Sequence, residues 1–198
     1  VMVQGVEIHV ASWKEIHGRE MIIQILPPLI DVSNRVKQLF NAKHGFLLLN
    51  RDLARNVIDL LPGEKFKRIA YRDLGTQADY RGHLVSHFTS TTPIEDLRNR
   101  DYDVYVVNLE RMENNREILS LPTNKLCILV LPTNDIKKAL SHLSLYRGDP
   151  VLMRHIVDNL LGVVTDGDEF LALDNWSREL IKKETDIDLV LQKLETSF

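Results

Sequence analysis

The chain has 198 residues, of which 44% are hydrophobic and 27% charged, with a formal net charge of −3 at pH 7. That length and balance fit one globular domain with a real core, or one domain with a helical appendage. The negative charge argues against a general nucleic-acid binder, which draws on a basic surplus.

In chain order, VQGVEIHV (3–10) alternates apolar and polar residues and predicts a strand. MIIQILPPLI is apolar and closes on Pro27-Pro28. Asp31 or Ser33 can cap a helix through VSNRVKQLFNA, whose Val32, Val36, Leu39 and Phe40 share a face and which stops at His44-Gly45. GFLLLN (45–50) has the length of a buried strand, and RDLARNVIDLL (51–61) reads as a helix ended by Pro62-Gly63. FKRIAYRDL (66–74) and YRGHLVSHFTST (80–91) read as strands, and Pro93 opens a short helix, PIEDLRN. DVYVVNL (103–109) is a strand, MENNREILSL a short helix and KLCILVL (125–131) another strand. Asn134 or Thr133 caps DIKKALSHLSL. PVLMRHIVDNLLGVV continues as helix with Val151, Ile156, Leu160 and Leu161 roughly on one face, and the charged tail from Asp166 reads as one or two amphipathic helices.

Continuous apolar strands alternating with amphipathic helices predict an α/β fold of three layers with a mostly parallel sheet of about five strands. The expected organisation is a lead-in over 1–44 packed on the core, an α/β domain over 45–165 and a helical tail over 166–198. No apolar run is long enough to cross a bilayer, and the N-terminus lacks the basic-then-apolar pattern of a signal peptide. The first residue is not Met, so the chain is expected to be a processed product or a piece of something longer. The lone cysteine, Cys127, reads as a buried thiol in a reducing compartment, and the expected location is cytoplasmic.

Several chemistries have no motif. No GxGxxG follows a strand, GxxxxGK[ST] is absent, which excludes a P-loop NTPase by motif, and neither GxSxG nor HExxH occurs. Seven histidines are scattered; His83 and His87, four apart, read as ordinary surface or half-buried residues rather than metal ligands. What remains is polar residues where strands end, such as Asn108-Leu109-Glu110, because parallel sheets bind ligands at the carboxyl ends of their strands.

From Gly45 to Gly162 the rhythm resembles a response-regulator receiver domain. GFLLLN and RDLARNVIDLL resemble its first strand and helix, and TPIEDLRNRDYDVYVVNLERM the run that delivers the phosphoacceptor aspartate. PTNKLCILVLPTNDIKKAL and RGDPVLMRHIVDNLL resemble the fourth strand and helix and the closing Lys-Pro segment. The chemistry departs from that family. The acidic pair falls at Leu49-Asn50-Arg51-Asp52, the acceptor at Asn108, the hydroxyl at Pro132 beside Thr133, and the lysine at Asp149. An amide neither accepts a phosphoryl group nor supplies charge for magnesium. The resemblance therefore implies a pseudo-receiver: a non-catalytic regulatory module in signalling, with a protein partner, no cofactor and no metal. Asn50, Asp52, Asn108, Thr133 and Asp149 are its vestigial site.

A second resemblance is to mono-ADP-ribosyltransferases. Ala70-Tyr71-Arg72, His87-Phe88-Thr89-Ser90-Thr91-Thr92 and Asn115-Arg116-Glu117-Ile118-Leu119 resemble their Arg, Ser-Thr-Ser and Glu-x-Glu elements. It implies NAD as cofactor, with Arg72 on its phosphates, Ser90 bracing the site and Glu117 stabilising an oxocarbenium-like transition state. Asn115 replaces the first acidic residue of the pair.

Overall fold

The computed structural model describes residues 2–3, 6–15, 18–25, 33–54, 60–72, 84–89, 91–109, 115–166 and 169–195, with the backbone alone for 2–25, Tyr71, Asn115 and Glu195. Two sheets result. Strands β1 (Met2–Val3), β2 (Val6–Glu15) and β3 (Gly18–Ile25) form an antiparallel meander. The β2–β3 register runs from Ile8 opposite Ile25 to Glu15 opposite Gly18. The alternation at the N-terminus thus marks a true strand, but it continues to Glu15, and MIIQI belongs to its partner.

The second sheet contains β4 (Gly45–Asn50), β5 (Arg68–Arg72), β6 (Leu84–Phe88), β7 (Val104–Asn108), β8 (Leu126–Leu131), β9 (Leu160–Val164) and β10 (Phe170–Ala172). Its order is β10-β9-β4-β8-β7-β5-β6. All neighbours are parallel except β9 and β10. The expected α/β class and mostly parallel sheet hold, with seven strands in place of five. Strands β4, β7 and β8 are buried along their whole length, as covered parallel strands must be.

The residues of these strands alternate between two cores. Leu47, Leu49, Val104, Val106, Ile128 and Val130 face α1 (Asn34–Phe40) and α2 (Arg51–Ala54), which bury Val36, Phe40, Leu53 and Ala54. Phe46, Leu48, Tyr105, Val107, Cys127 and Leu129 face the opposite way. There they meet α3 (Ile94–Arg98), the 3₁₀ helix Asn115–Ser120, α4 (Ile136–Ser144) and α5 (Pro150–Asp158), together with α6 (Asn175–Lys183) and α7 (Ile187–Glu195). Cys127 is fully buried, and burial pushes its thiol pKa up, as expected of a core residue.

Caps set the helix starts. Ser33 accepts a hydrogen bond from the Val36 amide, which settles the choice between Asp31 and Ser33. Asp135, rather than Asn134 or Thr133, caps α4 by accepting from Lys138 N at 3.1 Å. Pro93 sits at the N-cap of α3, one position earlier than expected. The largest correction concerns PVLMRHIVDNLLGVV. Helix α5 ends at Asp158, and Leu160–Val164 turns into strand β9. The face it buries is Leu152, Met153, Ile156 and Val157, while Val151 is 63% exposed. Gly162 explains the strand's crowding: a Cβ there would lie 2.5 Å from the Leu171 carbonyl oxygen of β10. Similarly, Gly45 starts β4 at φ +112°, a conformation that suits glycine.

Arginines fasten the C-terminal helices. Arg178 donates to the carbonyls of Leu160 (2.7 Å) and Leu173 (3.1 Å). Arg147 donates to the carbonyls of Ile181 and Glu184 at the end of α6, where unpaired helical carbonyls favour a cation.

Candidate functional site

Five polar or charged side chains are buried among the described residues: Asn50, Arg72, Asn108, Thr165 and Ser177. The first four share one feature. Asn50 ends β4, Arg72 ends β5, Asn108 ends β7 and Thr165 follows β9. These strands are parallel, so their carboxyl ends form one polar edge. Burying a polar group without a partner is costly, and the bonds seen here are specific.

At the centre of the edge, Asn50 joins two elements. Its Nδ2 donates to the Thr165 carbonyl at 2.8 Å, and its Oδ1 accepts from the Asp52 amide at 2.8 Å. Thr165 in turn donates through Oγ1 to the Glu169 carboxylate at 2.9 Å. Asn50, Leu131, Thr133, Ala139, Val164 and Thr165 leave no water-sized space between them. Thr133 stays in its own turn, where its Oγ1 accepts from the Asp135 amide at 3.2 Å. Helix α2 starts directly after Asn50, so no loop separates strand from helix.

On the β5–β7 side, Arg72 is 2% exposed and its Nη2 lies 3.0 Å from Glu117 Oε2. Asn108 is 2% exposed; its strand β7 is the neighbour of Arg72's strand. Beyond Glu117, Arg116 Nε lies 2.6 Å from Asp149 Oδ2. Asp149 also caps α5 by accepting from the Leu152 amide at 3.3 Å. The Arg116 hydrogen bond, with the helix-capping bond behind it, holds the Asp149 carboxyl below its usual pKa. The 3₁₀ helix is thus tied by two ion pairs, one to β5 and one to α5.

The structure therefore brings Asn50 and Thr133 together and pairs Arg72 with Glu117. It assigns Asp52 to the first turn of α2 and Asp149 to a helix cap. Ser90, Glu110 and His83 lie outside the described residues, and His87 is exposed on β6. Among the described residues no group of three or more His, Cys, Asp or Glu could hold a metal. Thr165 was missed because its strand was read as helix; the available signal was the β-rich run Leu-Gly-Val-Val-Thr after a completed helix.

No protein-family model and no curated protein sequence matches the chain. Solved structures do. The pilus retraction motor PilT, solved with bound ADP, superposes with a TM-score of 0.62 at 14% identity, covering 98% of this chain and 67% of PilT. The ATPase DotB of Yersinia pseudotuberculosis gives 0.61 at 10% identity, over 97% of this chain and 62% of its own. The Legionella pneumophila DotB gives 0.60 at 10% identity, over 96% and 64%. The fold is thus that of PilT- and DotB-like ATPases, and the chain spans about two thirds or less of their lengths.

These neighbours overturn four expectations. The fold is neither a receiver nor a mono-ADP-ribosyltransferase. Receiver-like rhythm arises in any sheet built of alternating strands and helices, and short Arg, Ser-Thr and Glu matches arise by chance. A non-catalytic signalling module is overturned by neighbours that are ATPases. An absent cofactor, or NAD, is overturned by the ADP in PilT. Arg72 and Glu117 form an ion pair on this fold. Among the described residues no helix is long and apolar enough to cross a membrane.

Proposed function

We propose that the chain is a cytoplasmic component of a PilT/DotB-like ATPase assembly driven by adenine nucleotide. Its protein partner is a chain of the same fold that carries the phosphate-binding loop. The observation that supports this is the fold likeness over nearly the whole chain, combined with the strand-to-helix junction at Asn50.

A phosphate loop requires a glycine-rich turn between strand and helix, whose amides cradle the phosphates, and a lysine that reaches them. Here Asn50 is followed at once by α2, and GxxxxGK[ST] occurs nowhere in the sequence. Asn50 bonds to the Thr165 carbonyl, and no water-sized space is left at this junction. The residues at this junction do not fit a nucleotide's phosphates, and no step of hydrolysis is assigned to them. Their role is to close the edge and hold β4, β9 and α2 in register.

The test mixes the purified chain with a phosphate-loop ATPase of this fold from the same source. Sedimentation velocity reads the complex, and phosphate release reads turnover. The expected result is a complex whose turnover differs from that of the partner alone by about fivefold or more, a coupling of ~1 kcal/mol. Absence of a complex, or an unchanged rate within one, would overturn the proposal.

A further inference from the structure

The opposite end of the sheet carries a cavity. It has a volume of about 530 Å³ and lies between the end of α3, the end of the 3₁₀ helix, the turn before β8 and helix α5. That is within the range of small-molecule sites, roughly 300–1,000 Å³. Tyr105, 1% exposed, and His155, whose ring packs edge-on against Phe46 at 5.2 Å, belong to its walls. Burial lowers the His155 pKa, so the positive charge of the cavity comes from Arg98 and Lys125.

We infer that this cavity is a binding site for a small oxyanion carrying phosphate or carboxylate groups, held by Arg98 and Lys125. Arg98 stands on the last turn of α3, exposed and without an ion-pair partner among the described residues. Its planar fork suits an oxyanion that offers two oxygens. Lys125 pairs at 3.1 Å with Asp101, whose side chain is 83% exposed. An exposed pair of that kind is weak, so a ligand anion can take the place of Asp101. The Asn124 side chain, exposed in the same lining, adds neutral hydrogen-bonding groups. The lining is mostly polar, which suits the charged group of the ligand. The site is at the amino edge and does not rest on the assembly proposed above.

Asp101 occupies Lys125 in this structure. If it competes with the ligand for Lys125, removing its charge must tighten binding, an effect no purely structural role produces.

The experiment titrates ¹⁵N-labelled chain with pyrophosphate and, separately, citrate. Sodium chloride at matched ionic strength is the control, and the Asn124 and Lys125 amide resonances are followed. Saturable shifts confined to the cavity are expected with one of the two probes, and which one binds decides between phosphate and carboxylate. Arg98→Ala and Lys125→Ala should each weaken binding about tenfold, the loss of one charge-assisted hydrogen bond. Asp101→Asn should tighten it about two- to fivefold, the scale of an exposed ion pair. Arg154→Ala, an exposed residue outside the cavity lining, should change nothing. Shifts that match the chloride control, no saturation by roughly 10 mM, or equal affinity in the folded Arg98→Ala/Lys125→Ala double variant would overturn the assignment.

Discussion

The two ends of the central sheet are built in opposite ways. At the carboxyl end, buried Asn50, Arg72, Asn108 and Thr165 are packed tightly, and at the β4–β9 junction even water has no room. At the amino end, exposed Arg98, Asn124 and Asp101 rim a cavity of about 530 Å³. Polarity alone therefore does not mark a binding site. Buried polar groups that bond to each other do structural work, whereas solvated polar groups around a void remain available to a ligand. PilT, which shares the fold, was solved with bound ADP; at the β4–β9 junction of this chain the buried Asn50 side chain bonds to the neighbouring backbone.

Mutations that break the slab between the two ends should have the largest effect. Val106 is fully buried in β7. Val106→Asp should cost several kcal/mol, comparable to the whole stability of a domain, and yield little soluble protein. A near-normal urea melt for that variant would refute the two-sided burial of β7.

Next comes Gly162. An added Cβ would meet the backbone carbonyl of Leu171 at 2.5 Å, which only a shift of β10 can relieve. Gly162→Ala should cost about 1–3 kcal/mol, the usual range for overpacking, read from the denaturation midpoint. An unchanged midpoint would mean that β10 is not paired with β9 in solution.

The contrast between the ends can then be measured with one residue type. Asn50→Ala strands the Asp52 amide and the Thr165 carbonyl and should cost about 1–3 kcal/mol. Asn124→Ala at the cavity rim should change stability by less than about 0.5 kcal/mol. Equal losses in urea melts would erase the distinction between a locked end and an open one.

How much of this was legible beforehand differs along the chain. GFLLLN, DVYVVNL and KLCILVL announced themselves, because strands buried on both faces have no polar positions to confuse the reading. The polar ends at Asn50 and Asn108 were visible for the same reason. LLGVV was absorbed into the preceding helix because apolar side chains of Leu160 and Leu161 fit either period; the turn at Asn159 and the close approach at Gly162 are tertiary facts. The pairing of Arg72 with Glu117 joins residues 45 positions apart, so no local pattern in the sequence encodes it. The amino-edge cavity left no trace at all, since Arg98, Lys125 and His155 are distant in sequence and each is ordinary alone.

The smallest effect concerns α5, the element that links the two ends. Asp149 caps it near the carboxyl end, and His155 touches the amino-end cavity. Hydrogen bonds from Arg116 and the Leu152 amide depress the Asp149 pKa below its ordinary 3.8. A depressed carboxyl contributes stability above its unfolded pKa and loses it as pH falls through the folded value. Burial depresses His155 below its ordinary 6.5. The unfolded chain then takes up that proton first, so stability is full above 6.5 and falls as pH drops from there toward the folded pKa. His142 on α4 is depressed by burial as well and adds to the same window. The two ends of one helix should therefore titrate apart. His155→Gln should flatten part of the stability loss just below pH 6.5 and leave the acid limb unchanged. Asp149→Asn should cost a constant amount near neutrality, with the difference from wild type vanishing only in strong acid, below pH 3.8. Chemical denaturation of both variants across pH resolves the two windows. If His155→Gln left the slope below pH 6.5 untouched, the histidine would be solvated, and the wall it forms in the cavity would have to be redrawn.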